Sequence, residues 1–430
     1  MSKRIIVVGG GAGGLELVVR LARKLKRAED VSVMLIDMNA SHIWKPLLHE
    51  VATGSLDSHH DETSYRMLAR KHQFDFLLGR VVRVDSDTQQ VIVAAEIDEN
   101  GAELVAERSL SYDQLVLSPG SRSNDFGTEG VAQHCITLDS REQAERFHQL
   151  YLKQLHRVSG SSDPDAELSV VIVGGGATGV ELAADLHNVA GRLQDYGFRK
   201  FSKERLKVAV IEAGAMLLPQ LPQRIGLSIR DELQSIGVSV QTDTRIARVE
   251  SDALITSDGE RIGADISVWA AGIKAPAFLA DSGFACDGIG RVKVNPDLTL
   301  EGHSNVYGLG DCCNCPTRDG GTVPPRAQSA HQMASVLANN ILASRRGKPA
   351  REFVYKDFGS LISLSRFSTI GNLMGNLVRG TVFVEGWLAR LFYLSLYRMH
   401  QNAVHGPVST LLIMLGDRIH RATRAELKLH

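Results

Sequence analysis

Val173 to Leu182 reads VGGGATGVEL, and Val8 to Leu17 reads VGGGAGGLEL. Eight of the ten positions match, 165 residues apart. Each copy follows an apolar β-branched run, Ile5–Val8 and Val170–Val173, and each opens a helical pattern. Solenoid periods are shorter than this spacing, so a unit has been duplicated rather than arrayed. Within the copies, Gly9, Gly11 and Gly14 match Gly174, Gly176 and Gly179. Glycine permits the tight strand-to-helix turn, the close approach of backbone to a pyrophosphate, and close helix–strand packing. The helix N-terminus then offers unpaired N–H groups and a positive dipole end to phosphates. The next strands, Val31–Ile36 and Lys207–Ile211, end in Asp37 and Glu212. A carboxylate there accepts hydrogen bonds from ribose hydroxyls. Glu212 also repels a 2′-phosphate, and Ala213-Gly214-Ala215 brings no arginine to hold one, which favours NAD over NADP. Glycine-rich turns also occur for structural reasons alone. The strand, helix and acid repeated in both copies argue for two dinucleotide sites.

Composition narrows the class. The 430 residues are 43% hydrophobic and 23% charged, which suits two to three globular domains and excludes disordered or fibrous chains. Net charge is −1, with no signature for nucleic acid. Five cysteines are sparse and odd in number, as in a reducing compartment. Met1-Ser2-Lys3-Arg4 leads directly into strand and glycines, too short for a signal peptide. The charge is uneven, however. Residues 341–430 hold 13 Lys and Arg against 5 Asp and Glu, while the rest of the chain holds 35 against 44. A basic tail on an acidic body suggests an anionic surface as partner.

Ser304 to Asp311 reads SNVYGLGD, a short strand ending in Gly-Asp. It resembles the second flavin fingerprint of flavoproteins with two dinucleotide-binding domains, in which the Asp binds the FAD ribityl chain. Leu115–Gly120 and Val268–Gly272 resemble the strands where such chains pass between domains. The resemblance implies that the first glycine motif holds FAD and the second, with Gly272, holds NADH. The expected architecture is α/β, with two Rossmann-like dinucleotide-binding domains plus a C-terminal amphipathic membrane-docking region. Its boundaries are 1–120 for the first part of the FAD domain, 121–164 for a connecting segment and 165–289 for the NADH domain. The second part of the FAD domain follows at 290–345, and the membrane-association region at 346–430.

His42–Ser55 reads HIWKPLLHEVATGS. Disulfide reductases of this architecture carry a cysteine pair here, and this chain has none. The segment resembles the HxxxPLLxEVAxG signature of type II NADH dehydrogenases, non-proton-pumping NADH:quinone oxidoreductases. Ala327–Gln332 reads AQSAHQ and resembles that family's AQxAxQ quinone motif. LISLSRFSTIGNLMGNLVRG from Leu361 and LYRMHQNAVHG from Leu396 are similar to the enterobacterial type. The resemblance implies hydride transfer from NADH to FAD and two-electron reduction of a quinone. It also implies Pro46, Asp311, Ala327 and Gln328 at the FAD, and Glu181 near nicotinamide and quinone as a proton relay. Gln328 and Gln332 stand four apart on one helix face, and neutral amides hydrogen-bond quinone carbonyls without adding charge. The alternative is that they only pack or cap the helix. Glu16 holds the place of Glu181 in the first copy, and both also suit a first-turn acid that complements the helix dipole.

A quinone with a long apolar tail stays in lipid, so the enzyme must reach the membrane. At about 100° per residue, Gly386–Ala403 puts Leu388, Phe392, Leu396, Met399 and Ala403 on one face and Arg390, Arg398 and Gln401 on the other. Gly406-Pro407 breaks the pattern. Leu411–Leu415 follows, then a basic segment with Arg418, Arg421, Arg424 and Lys428. This is the pattern of an interfacial helix, with packing on the body or a homodimer contact as alternatives. The expected location is the cytoplasmic face of the inner membrane, held peripherally. Cys312, Cys313 and Cys315 contain one CxxC, weak for a metal without a second ligand pair, and none is expected. His59-His60-Asp61 and the His42/His49 pair match no ligand spacing, and surface or packing roles are expected of them. Competing functions are a sulfide:quinone oxidoreductase, a soluble NADH-dependent reductase of a carrier protein and an NADH-binding redox sensor.

Overall fold

A computed structural model describes residues 3–363, 369–373, 382–385, 387–423 and 427–429. In the first half the chain forms β1 (Lys3–Val8), α1 (Ala12–Leu25), β2 (Val31–Asp37), α2 (Leu48–Thr53), β3 (Asp75–Leu78) and β4 (Gln114–Leu117). Next come β5 (Cys135–Ile136), α3 (Arg141–Gly160), β6 (Leu168–Val173), α4 (Ala177–Ala190), β7 (Leu206–Ile211), β8 (Ser239–Gln241) and β9 (Ile266–Trp269). The last are β10 (Val306–Gly308), α5 (Ala327–Ser344), α6 (Trp387–His405) and α7 (Pro407–Thr423). Further helices, among them Gln223–Ser235 and Tyr65–His72, and small, mostly antiparallel sheets fill the intervals.

Two parallel five-stranded sheets dominate. The first runs β10-β4-β1-β2-β3 and the second β5-β9-β6-β7-β8. Strands covered on both faces should be apolar throughout, and Ile5 to Val8 and Val170 to Val173 are all buried. In each sheet the strand order reverses beside the motif strand, β1 or β6. Ligands of open α/β sheets bind in the crevice at that point. The first sheet draws β10 from nearly 200 residues beyond β4, so the second unit is an insertion. Residues 121–164 do more than connect: β5 extends the second sheet, and α3, started by a Ser140/Gln143 capping box, buries Phe147, Tyr151 and Leu155 in the second core.

The units meet at α2. Thr53 and Ser55 both donate to Asp185 on α4, Ser55 Oγ at 2.8 Å. The PLLxEVAxG stretch is therefore a joint between the two units.

The tail departs from the sequence reading in direction. Both helices form, with Gly406 at φ +84° and Pro407 at the first position of α7. Leu396 and Met399 both line a cavity, and Met399 is also exposed. Gln401 is buried, and Arg398 pairs with Asp417 of α7 at 2.8 Å. Arg23 of α1 donates to the carbonyls of Ala403 and Val404, at 3.1 and 2.8 Å, closing the C-terminal end of α6. Periodicity locates a stripe but not what it faces: here Leu396 and Met399 face the cavity, and Val404 packs into the core that α1 shares. The exposed apolar row belongs to α7: Val408, Leu411, Leu412, Leu415 and Ile419 are each more than half exposed. Lys428 pairs with Asp57 at 2.9 Å and Leu427 is buried, so this end of the basic segment docks on the body. The side chains of Leu388, Arg390, Phe392 and Arg421, and all of Arg424, lie outside the described residues. Among the described residues no helix is long and apolar enough to cross a membrane.

Candidate functional site

The three glycines of each motif do three different things, in the same way twice. Gly9 and Gly174 sit at φ +96° and +114°, where a side chain is strained. A Cβ on Gly14 would stand 2.0 Å from the Gly9 carbonyl oxygen, and one on Gly179 would stand 2.1 Å from that of Gly174. A Cβ on Gly11 or Gly176 would meet no protein atom within 4 Å. That open space at a helix N-terminus is where a pyrophosphate fits. The acids are set alike: the N–H of Gly10 donates to Asp37 Oδ2, and that of Gly175 to Glu212 Oε2, both at 2.6 Å. Each carboxylate is thereby aimed across its glycine turn with acceptor capacity left over. Burial pushes the Asp37 carboxyl up against the pull of those N–H groups.

One cavity of about 650 Å³ joins the two units. Gly9, Gly11, Asp37 and Pro46 line it from the first unit, Gly176 and Glu181 from the second. Asp311, Ala327 and Gln328 line it from the chain's return to the first unit. Burial raises Asp311, opposed by Lys45 and by the hydroxyl of Ser121 at 3.1 Å. The volume and the mix of backbone donors, carboxylates and apolar wall suit an extended cofactor. Gly14, Gly174, Gly179, Glu212, Gly272 and Gln332 are outside the lining. Gly272, at φ +60°, packs beneath Phe126.

The glutamines brace a strap. Gln328 donates to the Gly359 carbonyl at 2.8 Å and accepts from the Phe358 N–H at 3.2 Å. Gln332 exchanges both bonds with Lys356, at 2.8 and 3.0 Å. The packing role weighed for these amides is thus present, and Gly359 joins the cavity wall because of it.

Histidines assigned to surface or packing roles are in the cavity. His49 is 4% exposed, and its Nδ1 lies 3.7 Å from Glu181 Oε2. Burial pushes the His49 imidazole down. Glu16 is fully buried and touches two imidazoles: His331 Nδ1 lies 2.7 Å from Oε2, and His400 Nδ1 lies 2.9 Å from Oε1. His400 Nε2 is 3.0 Å from His42 Nε2. Burial pushes His42 down to about 3, with the charge of His400 adding to it. Gly13 supports the cluster. A Cβ there would meet Leu309 Cδ1 at 2.4 Å and Ala330 of α5 at 3.1 Å, so the glycine favours this close crossing of α5 and α1. The signal in the sequence was the pairing of Glu16 with Glu181. The histidine partners, hundreds of residues away, carried none. His59 and His60 have side chains outside the described residues.

No cysteine lines the cavity among the described residues. All five are free, and Cys312, Cys313 and Cys315 are buried, with burial pushing their thiols up. Among the described residues no cluster with metal-ligand geometry occurs.

A family model described as pyridine nucleotide-disulphide oxidoreductase matches residues 3–334. A type II NADH:quinone oxidoreductase of Haemophilus influenzae is 41% identical, with all of both chains covered. One from Mycobacterium tuberculosis is 30% identical over 95% of this chain and 86% of that protein. Among solved structures, NDH2 from Plasmodium falciparum in complex with NADH superposes with a TM-score of 0.82 at 18% identity, covering both chains fully. The sulfide:quinone oxidoreductase of Aquifex aeolicus reaches 0.72 at 18% identity over 95% of this chain and 93% of that one. These two structures share the fold.

Proposed function

The chain belongs to the type II NADH:quinone oxidoreductases, and from that premise we propose that it oxidises NADH and reduces a membrane quinone without moving protons across the bilayer. The observation that carries this reading is the single cavity bounded by both motif helices and by α5, with no cysteine in its described wall. Bound FAD supplies the two-electron relay between the two substrates.

The first glycine turn and the N-terminus of α1 would hold the FAD pyrophosphate, Asp37 a ribose and Asp311 the ribityl chain. Pro46, Ala327 and Gln328 would wall it. The second turn, Glu212 and Gly272 would hold NADH, and Glu212 would reject a 2′-phosphate. Glu181, paired with His49, holds a carboxylate at the NADH side of the cavity and suits proton relay there. Gln328 and Gln332 shape the quinone side by fixing the 356–359 strap. A sulfide:quinone reaction would need thiols at the cavity, which disfavours that reading.

The exposed row on α7 is read as the face that lies in the headgroup region, against the alternative of a second copy covering it. Five free cysteines fit the reducing, cytoplasmic side of the membrane. The functional test is anaerobic NADH consumption by the purified holoprotein, with and without a short-chain quinone. Consumption that depends on quinone, with one quinol formed per NADH, is expected. NADH loss that ignores quinone would point to a carrier-protein reductase, and negligible turnover to a sensor.

A further inference from the structure

Quinone reduction has a proton requirement that NADH alone does not meet. Quinol formation takes two electrons and two protons, and the hydride of NADH carries two electrons and one proton. The balance is NADH + H⁺ + quinone → NAD⁺ + quinol, so one proton per turnover comes from elsewhere. The wall of the cavity holds a group built to keep one.

Glu16 is buried on α1, with Arg20 Nη2 3.4 Å away on the same helix, His331 reaching it from α5 and His400 from α6. Beyond His400 stands the buried His42. A single hydrogen occupies the 3.0 Å contact between the two Nε2 atoms. One further proton lies between His400 Nδ1 and Glu16. His405, Arg23, Lys71 and His72 surround the far side of this end. The two imidazoles on Glu16 differ in access. Both line the cavity, but 19% of the His331 side chain is exposed against 5% for His400, which is also tied to His42. Loss of a proton from His331 therefore leaves the buried carboxylate still paired with His400. An unpaired buried carboxylate would be strongly destabilising.

We infer that Glu16, His331 and His400 form a proton store, in which His331 donates to the quinone oxygen and His400 keeps Glu16 paired while it does so. This rests on the quinone reading above. The N–H bond on the cavity side of His331 breaks, an O–H bond forms on the quinone, and the electrons come from NADH. The imidazole takes its proton back from water between turnovers.

The test is anaerobic stopped-flow on the holoprotein, following the flavin band and a pH-indicator dye together. The protein is reduced with NADH and then mixed with a short-chain quinone. In the unaltered protein, flavin recovery should precede proton uptake from the medium. In His331→Gln, recovery should slow at least about tenfold more than the NADH-driven bleaching, and proton uptake should coincide with it. A second variant, His331→Ala, should regain recovery rate with added imidazole. Unchanged recovery and an unchanged dye trace in His331→Gln, or no rescue of a slowed, flavin-loaded His331→Ala, would overturn the proton store. Absence of quinone-driven recovery in the unaltered protein is a different failure, that of the functional reading itself.

Discussion

Glu16 and Glu181 occupy the same place in two copies of one glycine motif, and both line the same cavity, Glu16 fully buried and Glu181 6% exposed. Each is met by histidine, Glu16 by His331 and His400 and Glu181 by His49. Duplication has placed two buried carboxylates, one from each unit, around a shared space.

The glycines should separate into ligand-space and fold positions. Gly176→Val adds a side chain where no protein atom stands, so the protein should fold and melt normally while the KM for NADH rises at least about tenfold. Gly14→Ala drives a Cβ to within 2.0 Å of a backbone oxygen and should cost about 1–3 kcal/mol in urea unfolding. Equal effects of the two on melting temperature would contradict the division.

Acid should destabilise the fold before ordinary carboxylates titrate. His42 is lowered from 6.5 to about 3 by burial, so the unfolded chain takes up its proton first. Its contribution is therefore complete above pH 6.5, falls as pH drops toward 3, and amounts to at most about 5 kcal/mol. His72 and His405, lowered to about 4 chiefly by burial, act with the same sign. For Glu16, burial raises the carboxyl, but the hydrogen bonds and charge of His331 and His400 outweigh it and hold it below its usual range. Its share is present above pH 4.5 and is lost below, as pH falls through the folded value. Urea unfolding at pH 7 and pH 5 should show the loss, and His42→Gln should flatten it. A wild-type stability independent of pH over that interval would speak against this.

Nucleotide choice should follow Glu212. The wild-type protein should prefer NADH over NADPH in kcat/KM. Glu212→Gln, which removes the repelling charge, should narrow that ratio at least about tenfold. Gly175 N–H now donates to Oε2 at 2.6 Å and Gly214 N–H to Oε1 at 2.7 Å, and the single amide oxygen of glutamine can keep one of the two bonds. A ratio unmoved by the substitution would place the discrimination elsewhere.

Membrane docking should follow α7 rather than α6. Leu412→Glu with Leu415→Glu puts two charges into the exposed row and should reduce sedimentation with anionic lipid vesicles at least about tenfold. Turnover with a soluble short-chain quinone should be unaffected. A concentration-dependent change in mass, with vesicle binding intact, would assign the row to a second copy.

The dinucleotide units were legible because each is local: strand, turn, helix and acid lie within about 40 residues, and the turn admits little but glycine. The cavity's chemistry was not local. Glu16 meets partners 315 and 384 residues away, and no spacing rule reaches that far. The tail failed differently. A helix forms where the period placed one, but Leu396 and Met399 also line the cavity, Gln401 of the polar face is buried, and Lys428 pairs with Asp57. Gln328 and Gln332 share a helix face as their spacing indicates, yet that face meets backbone at Lys356–Gly359, which a pattern of residue types does not reveal.

The most direct test of the shared cavity is a crystal structure of the holoprotein with NADH and, separately, with a non-reducible quinone analogue. The account predicts nicotinamide beside Glu181 and the analogue beside Gln328 and His331, both within the one cavity. An analogue seated outside it, with the Glu16 and His331 wall touching neither molecule, would contradict the account.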